Sequence, residues 1–160
     1  MAGHESFLQM NKRLLFASAN EHKLAEIRAL LEPLGYTILG LHDLHITEEI
    51  PETGATLREN AFLKASYLNA KVGLDCFADD SGLEVLALNG APGVHSARYA
   101  GEPRSDYNNL QKLLSEMSAV SNRNACFKTV ICLIENGQTH YFEGKVDGTI
   151  SEEAKGQGGF

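Results

Sequence analysis

Short apolar runs alternate with stretches of helical periodicity along this chain, and that alternation most narrows its fold. Arg13 to Ser18 is an apolar run ending in small and polar residues. Leu24, Ile27, Leu31 and Leu34 then recur at helical spacing, with Asn20 placed to cap the helix and Gly35 to stop it. Tyr36 to Leu41 reads as a second strand, completing a strand–helix–strand start. Pro51 and Gly54 mark a loop. Leu57, Ala61, Ala65, Leu68 and Val72 form the apolar stripe of a long second helix, which Thr56 would cap and Gly73 would end. Leu110, Leu113, Leu114 and Met117 mark a third helix beginning at Ser105. Cys126 to Ile134 and His140 to Val146 flank Asn136-Gly137, a strong hairpin signal. This order predicts an α/β fold with a mixed sheet and an appended antiparallel hairpin.

At 160 residues the chain has the length of one domain. No apolar run approaches the roughly 18 residues of a membrane span. Fourteen basic against 21 acidic residues leave a net charge of −7. That balance argues against wrapping nucleic acid, which needs a basic face. A small anionic substrate stays admissible, because a few cations in a cleft can outweigh the global field. Cys76, Cys126 and Cys132 have neither an even count nor metal-ligand spacing. They read as small buried hydrophobes in a reducing, cytoplasmic setting. Residues 1–12 read as a flexible leader and 13–160 as the domain.

Five segments could carry chemistry. Cys76 to Ala78 reads as a short strand running into Asp79-Asp80-Ser81-Gly82, with Leu83 to Leu88 a further strand. Adjacent carboxylates repel one another and lose solvation beside an apolar strand. A divalent cation relieves both costs, and Mg2+ favours few carboxylates plus phosphate oxygens. Equally, Asp, Ser and Gly together make a plain turn. Ser18-Ala19-Asn20 with Lys23 lies where a strand meets a helix N-terminus, a place for phosphate or for simple capping. Glu52-Thr53-Gly54 precedes the second helix, where Asn60 and Lys64 share a face. Lys64 can reach a cleft or snorkel into water. Ser96-Ala97-Arg98-Tyr99 offers a guanidinium for an anion or for a structural ion pair. Gly156-Gln157-Gly158-Gly159 is a Gly-rich tail that could approach a ligand. Among the six histidines only His42 and His45 lie close together, in a loop.

As an ordered set these segments resemble the inosine triphosphate pyrophosphatase family. Ser18-Ala19-Asn20 with Lys23, Glu52-Thr53-Gly54, Asn60-Ala61 and Lys64-Ala65 resemble its opening. Ala78 to Leu83, Gly90 to Val94 and Ser96 to Tyr99 resemble its middle motifs, and Gly156 to Phe160 the start of its late G-x-G-G-F-G-Y-D-P motif. The resemblance implies Mg2+-dependent hydrolysis of non-canonical purine triphosphates such as ITP, dITP and XTP to the monophosphate and pyrophosphate. It implies an elongated mixed sheet flanked by helices, two lobes with a central cleft, and a homodimer. By position, Ser18, Ala19, Asn20, Lys23, Lys64 and Ser81 would bind substrate. Glu52 and Asp80 would serve the metal, with Asp80 also the catalytic base. The family pattern continues past Phe160 with segments that hold the base, so the resemblance also implies a domain incomplete at its C-terminus. The alternatives are a septum-formation-inhibitor-type pyrophosphatase acting on other modified nucleotides, or a truncated, non-catalytic nucleotide-binding module.

Overall fold

The structure, a computed structural model, describes residues 11–157. Most of the expected leader, and Gly158 to Phe160, lie outside the described residues. Lys12 is already part of the first strand. The elements are β1 (Lys12–Phe16), α1 (Glu21–Leu31), β2 (Tyr36–Leu39), α2 (Leu57–Val72), β3 (Cys76–Val85), α3 (Asp106–Glu116), β4 (Asn124–Glu135) and β5 (Gln138–Thr149). They build one mixed five-stranded sheet in the order β2-β1-β3-β4-β5. β1 runs parallel to β2 and β3, while β3, β4 and β5 are mutually antiparallel. At ~3.3 Å per residue, the twelve-residue strands β4 and β5 reach ~40 Å, so the sheet is elongated.

The expected caps hold each helix. Asn20 accepts from the amides of His22 and Lys23, Thr56 from that of Glu59, and Ser105 from that of Asn108. Gly73 ends α2 in the left-handed conformation, at φ 72°. α1 ends earlier than expected. Pro33 has no N–H to continue the helical ladder, so Glu32–Leu34 form a 3₁₀ turn closed by Gly35. Leu34 is exposed as a result and is not part of the apolar stripe.

The main correction concerns the Asp-rich segment, which is not a turn between two strands. β3 runs unbroken from Cys76 to Val85, paired with β4 at every residue. Leu86–Leu88, expected as strand, form a 3₁₀ turn instead. The antiparallel partner satisfies the backbone of Asp79 to Gly82, and that tertiary pairing overrides their local turn preference.

Strand alternation then sorts the core by face. Leu15, Ala17, Cys76, Ala78, Cys132 and Ile134 pack under Ala61, Ala65 and Leu68 of α2. Leu14, Phe16, Ile38 and Phe77 pack under Leu24 of α1 on the opposite face. A third cluster, Val85 with Leu113 and Met117, seats α3 toward the far end of the sheet. Arg123 donates to the carbonyls of Met117, Val120, Ile150 and Ser151, tying the end of α3 to the end of β5. Apolar packing therefore gathers at two ends, with β3 and β4 running between them. Cys76 and Cys132 are buried as expected, whereas Cys126 is only half-buried. Among the described residues, no helix is long and apolar enough to cross a membrane.

Candidate active site

β1 stops at Phe16, and its last ladder bond joins the Ala17 amide to the Phe77 carbonyl. Beyond that point the edge of β3 has no parallel neighbour, so its polar groups need other partners. Lys64 of α2 donates to the backbone carbonyl of Asp79 at 2.6 Å. Lys23 of α1 meets the Asp79 carboxylate, also at 2.6 Å. Two ammonium groups from two helices thus converge on one residue at the carboxyl end of β1. Ligands in open α/β sheets gather at such ends.

Asp79 and Asp80 do not confront one another. They are neighbours in a regular strand, so their side chains leave opposite faces of the sheet. Mutual repulsion is therefore not what creates demand for a cation. Asp79 faces α1 and is neutralised by Lys23. Asp80 faces α2, where burial pushes its carboxyl up to about 6. The Lys64 charge, Asn60 and the Ser81 amide pull it down, and the nearby Glu52 carboxylate pushes it further up. Its Oδ2 is buried without a hydrogen-bond partner. An orphaned, half-desolvated carboxylate oxygen is costly unless a ligand completes it.

Glu52 comes from the loop before α2, and several cations hold that loop. Its own carboxylate lies 3.0 Å from Lys64 Nζ. Glu48 pairs with Lys71, and Glu49 lies 3.2 Å from Arg98. The loop's end is tied down by α2 itself. Asn60, fully buried, accepts the Gly54 amide at 2.7 Å, and Glu59 accepts that of Ala55 at 2.6 Å. A Cβ on Gly54 would stand 2.7 Å from Glu59 Cβ and 2.8 Å from Asn60 Oδ1, so glycine fits here by close approach.

The remaining expected residues divide clearly. Ser18 accepts the Asn20 amide at 3.1 Å, which shapes the turn into α1. Asn20 occupies two of the free amides at the helix N-terminus, so the capping function is visible there. Ala19 is exposed between them. Ser81 lies on the α1 face with Asp79, and its hydroxyl is 2.7 Å from that of Thr129 on β4. Arg98 forms ion pairs with Glu49 and Glu102, as the structural alternative has it. Asp79, Asn60 and Thr129 were not among the expected site residues. Asp79 was visible in the sequence only as half of the Asp79-Asp80 pair and Asn60 only as the residue four before Lys64, while Thr129 left no trace. Among the described residues no three of His, Cys, Asp and Glu converge as a ready-made metal cluster. Two surface pockets among the described residues, of about 250 and 340 Å³, are lined by other residues. The charged centre therefore sits at an open sheet edge, and its chemistry locates it better than its concavity.

The profile of the Ham1 family matches residues 14–160. The chain belongs to the Ham1 family. This Ham1 chain is 54% identical over 150 residues to the dITP/XTP pyrophosphatase of Porphyromonas gingivalis, spanning 93% of itself and 77% of that protein. It is 42% identical over 152 residues to the dITP/XTP pyrophosphatase of Bacillus subtilis, with 93% and 77% covered. The Staphylococcus aureus Ham1 protein superposes with a TM-score of 0.84 at 39% identity, covering 93% of this chain and 77% of that one. A HAM1 protein from Coxiella burnetii does so at 0.86 and 39%, covering 93% and 78%. The mixed sheet with flanking helices is thus the Ham1 fold.

Proposed function

We propose that this Ham1 chain hydrolyses non-canonical purine triphosphates, dITP, ITP and XTP among them, to the monophosphate and pyrophosphate, and so cleanses the nucleotide pool. The family and the named activity of its relatives support the reaction class. The observation that carries it is the convergence of Lys23 and Lys64 on Asp79, beside the unpartnered Asp80 oxygen.

Asp80 and Glu52 would hold Mg2+. The fit rests on the orphaned Asp80 oxygen and on the donor set, since Mg2+ takes one or two carboxylates and leaves its other positions to water and phosphate. When bound, the ion neutralises charge on the phosphates. The chain's own part is positioning and electrostatics. Lys23 and Lys64, held in advance by Asp79, would bind the triphosphate. Ser18, Ala19 and Asn20 would shape the turn against it, and Ser81 would touch the nucleotide. Asp80 would take a proton from the attacking water as its oxygen bonds to the α-phosphorus and pyrophosphate departs. In the metal-free chain burial holds this carboxyl at about 6, so it is ionised at neutral pH and open to the ion, which would itself lower that value.

We treat residues 13–160 as one catalytic domain of a cytoplasmic homodimer. Free thiols at all three cysteines are in keeping with a reducing compartment, and sedimentation would test the dimer. Pyrophosphate release is to be measured with Mg2+ from dITP, XTP, ATP and a modified pyrimidine triphosphate. Release from the first two at least tenfold faster than from the others is expected. Preference for the pyrimidine would point to a septum-formation-inhibitor-type activity, and no release to a binding module.

A further inference from the structure

Two side chains of α2 each join β3 to the loop that precedes the helix. Lys64 lies 3.0 Å from the Glu52 carboxylate and donates to the Asp79 carbonyl at 2.6 Å. Asn60, one turn earlier on the same face, accepts the Gly54 amide at 2.7 Å and acts on the Asp80 carboxyl as a side-chain hydrogen-bond donor. Each of them therefore touches one group beside or on Glu52 and one group beside or on Asp80.

The two ties differ in kind. A backbone N–H only donates, and an ionised carboxylate only accepts. A group that joins the two must offer an acceptor to one and a donor to the other, as a side-chain amide does. An apolar side chain would leave both partners unpaired, and a carboxylate would set like charge beside Asp80. Asn60 is 1% exposed in the middle of a helix. Asparagine is a weak helix former, and its amide is costly to bury unless it is bonded. Packing of α2 does not call for it, since Ala61, Ala65 and Leu68 seat the helix on the sheet. Lys64, by contrast, carries its ammonium on a long flexible stem. Any hydrogen bond it gives to phosphate is withdrawn from Glu52 or Asp79. Asn60 is short and enclosed, so its tie is the one that persists when substrate arrives.

We propose that Asn60 is a positioning residue, which fixes the loop of Glu52 against Asp80 and holds the two carboxylates at the separation a shared divalent cation needs while Lys64 engages phosphate. The proposal rests on the metal-dependent pyrophosphatase reading above. Asn60 would touch neither ion nor substrate and would act through its two partners. Mg2+ demands nearly ideal octahedral geometry, so a small drift of one carboxylate weakens its hold.

The test measures how far Mg2+ strengthens the binding of a non-hydrolysable dITP analogue, by calorimetry in excess Mg2+ and again in EDTA. Three variants of the full chain are compared with the wild type, each checked by a melting curve. Asn60→Ala removes both bonds. Gly54→Ala sets a Cβ 2.8 Å from Asn60 Oδ1 and so pushes the loop off the amide without altering β3. Glu59→Ala frees the neighbouring Ala55 amide and leaves Asn60 in place. The first two are expected to cut the gain from Mg2+ about ten- to a hundredfold, the usual cost of losing a partner behind a metal ligand, while affinity in EDTA stays within about threefold. They should also lower kcat by more than they raise KM, and Glu59→Ala should keep the full gain. An unchanged gain in either of the first two, once folded, overturns the positioning role and leaves the pyrophosphatase reading standing. So does an equal loss of affinity in Mg2+ and in EDTA, which marks a merely structural residue. An equal fall in Glu59→Ala does the same, because it marks general anchoring of the loop. If Asn60→Ala does not fold, Gly54→Ala decides. A wild-type chain that gains nothing from Mg2+ overturns the metal-dependent reading, and the positioning role with it.

Discussion

Asp80 concentrates the conflict between folding and chemistry. Its carboxyl lies at about 6 against an ordinary 3.8, with burial as the largest cause. A raised folded pKa means that the folded chain binds this proton more tightly than the unfolded chain does. The cost is absent below the unfolded value, grows as pH rises from about 4 to 6, and is complete above that. Two pKa units amount to about 3 kcal/mol. Solvent screening at this partly exposed carboxyl discounts that figure, so Asp80→Asn should stabilise the unliganded protein by about 1–2 kcal/mol at pH 8 and by nearly nothing at pH 4. Urea titrations of the two proteins at both values check this. The same substitution should lower turnover of dITP by at least a thousandfold. Near-normal turnover would remove Asp80 from the role of base, and a stability difference that does not change with pH would remove the buried charge from the account.

At the scale of elements, close backbone approach decides where the 3₁₀ turn Gly93–Arg98 meets the sheet. Gly82 of β3 faces the 3₁₀ turn Gly93–Arg98. A Cβ added there would lie 2.3 Å from the Gly93 carbonyl oxygen and 3.3 Å from a Leu57 methyl. The same turn is pinned by Ser96, which accepts the Leu83 amide at 2.8 Å and donates to the Gly93 carbonyl at 2.6 Å. Backbone cannot yield as a flexible side chain can, so Gly82→Ala should cost about 3 kcal/mol. Thermal melting reads the loss directly. A variant as stable as the wild type would mean that the turn moves aside freely. By contrast Gly144→Leu, also on a strand glycine, should be nearly neutral for stability, because its Cβ enters open space.

For the whole molecule, the net charge of −7 extends into the site, where Lys23 and Lys64 stand among the carboxylates of Glu52, Asp79 and Asp80, so that Mg2+ would supply the positive charge a triphosphate needs. Substrate and Mg2+ should bridge groups from α1, α2, β3 and the loop carrying Glu52, and so bind only the folded chain. A dITP analogue at a hundred times its Kd should add about 2.7 kcal/mol of stability in the presence of Mg2+. Addition of EDTA should remove most of that gain, and a thermal shift series measures both. A shift that survives EDTA would separate nucleotide binding from the metal.

Much of this was legible along the chain, because it depends on local physics. Helix periodicity, the caps Asn20, Thr56 and Ser105, the stop at Gly73 and the Asn136-Gly137 hairpin all concern residues a few positions apart. The ordered motifs likewise identified the family, since Lys23, Glu52, Lys64 and Asp80 stand at recognisable spacings. What tertiary structure alone decided was how Asp79 to Gly82 behave. Their composition favours a turn, yet pairing with β4 holds them extended and sends the two carboxylates to opposite faces. The partner that enforces this lies some fifty residues away, so no local pattern could announce it. The same long-range register aligned Ser81 with Thr129 and Gly144, and only the early end of β1 exposed the strand edge where Lys64 reaches the Asp79 carbonyl.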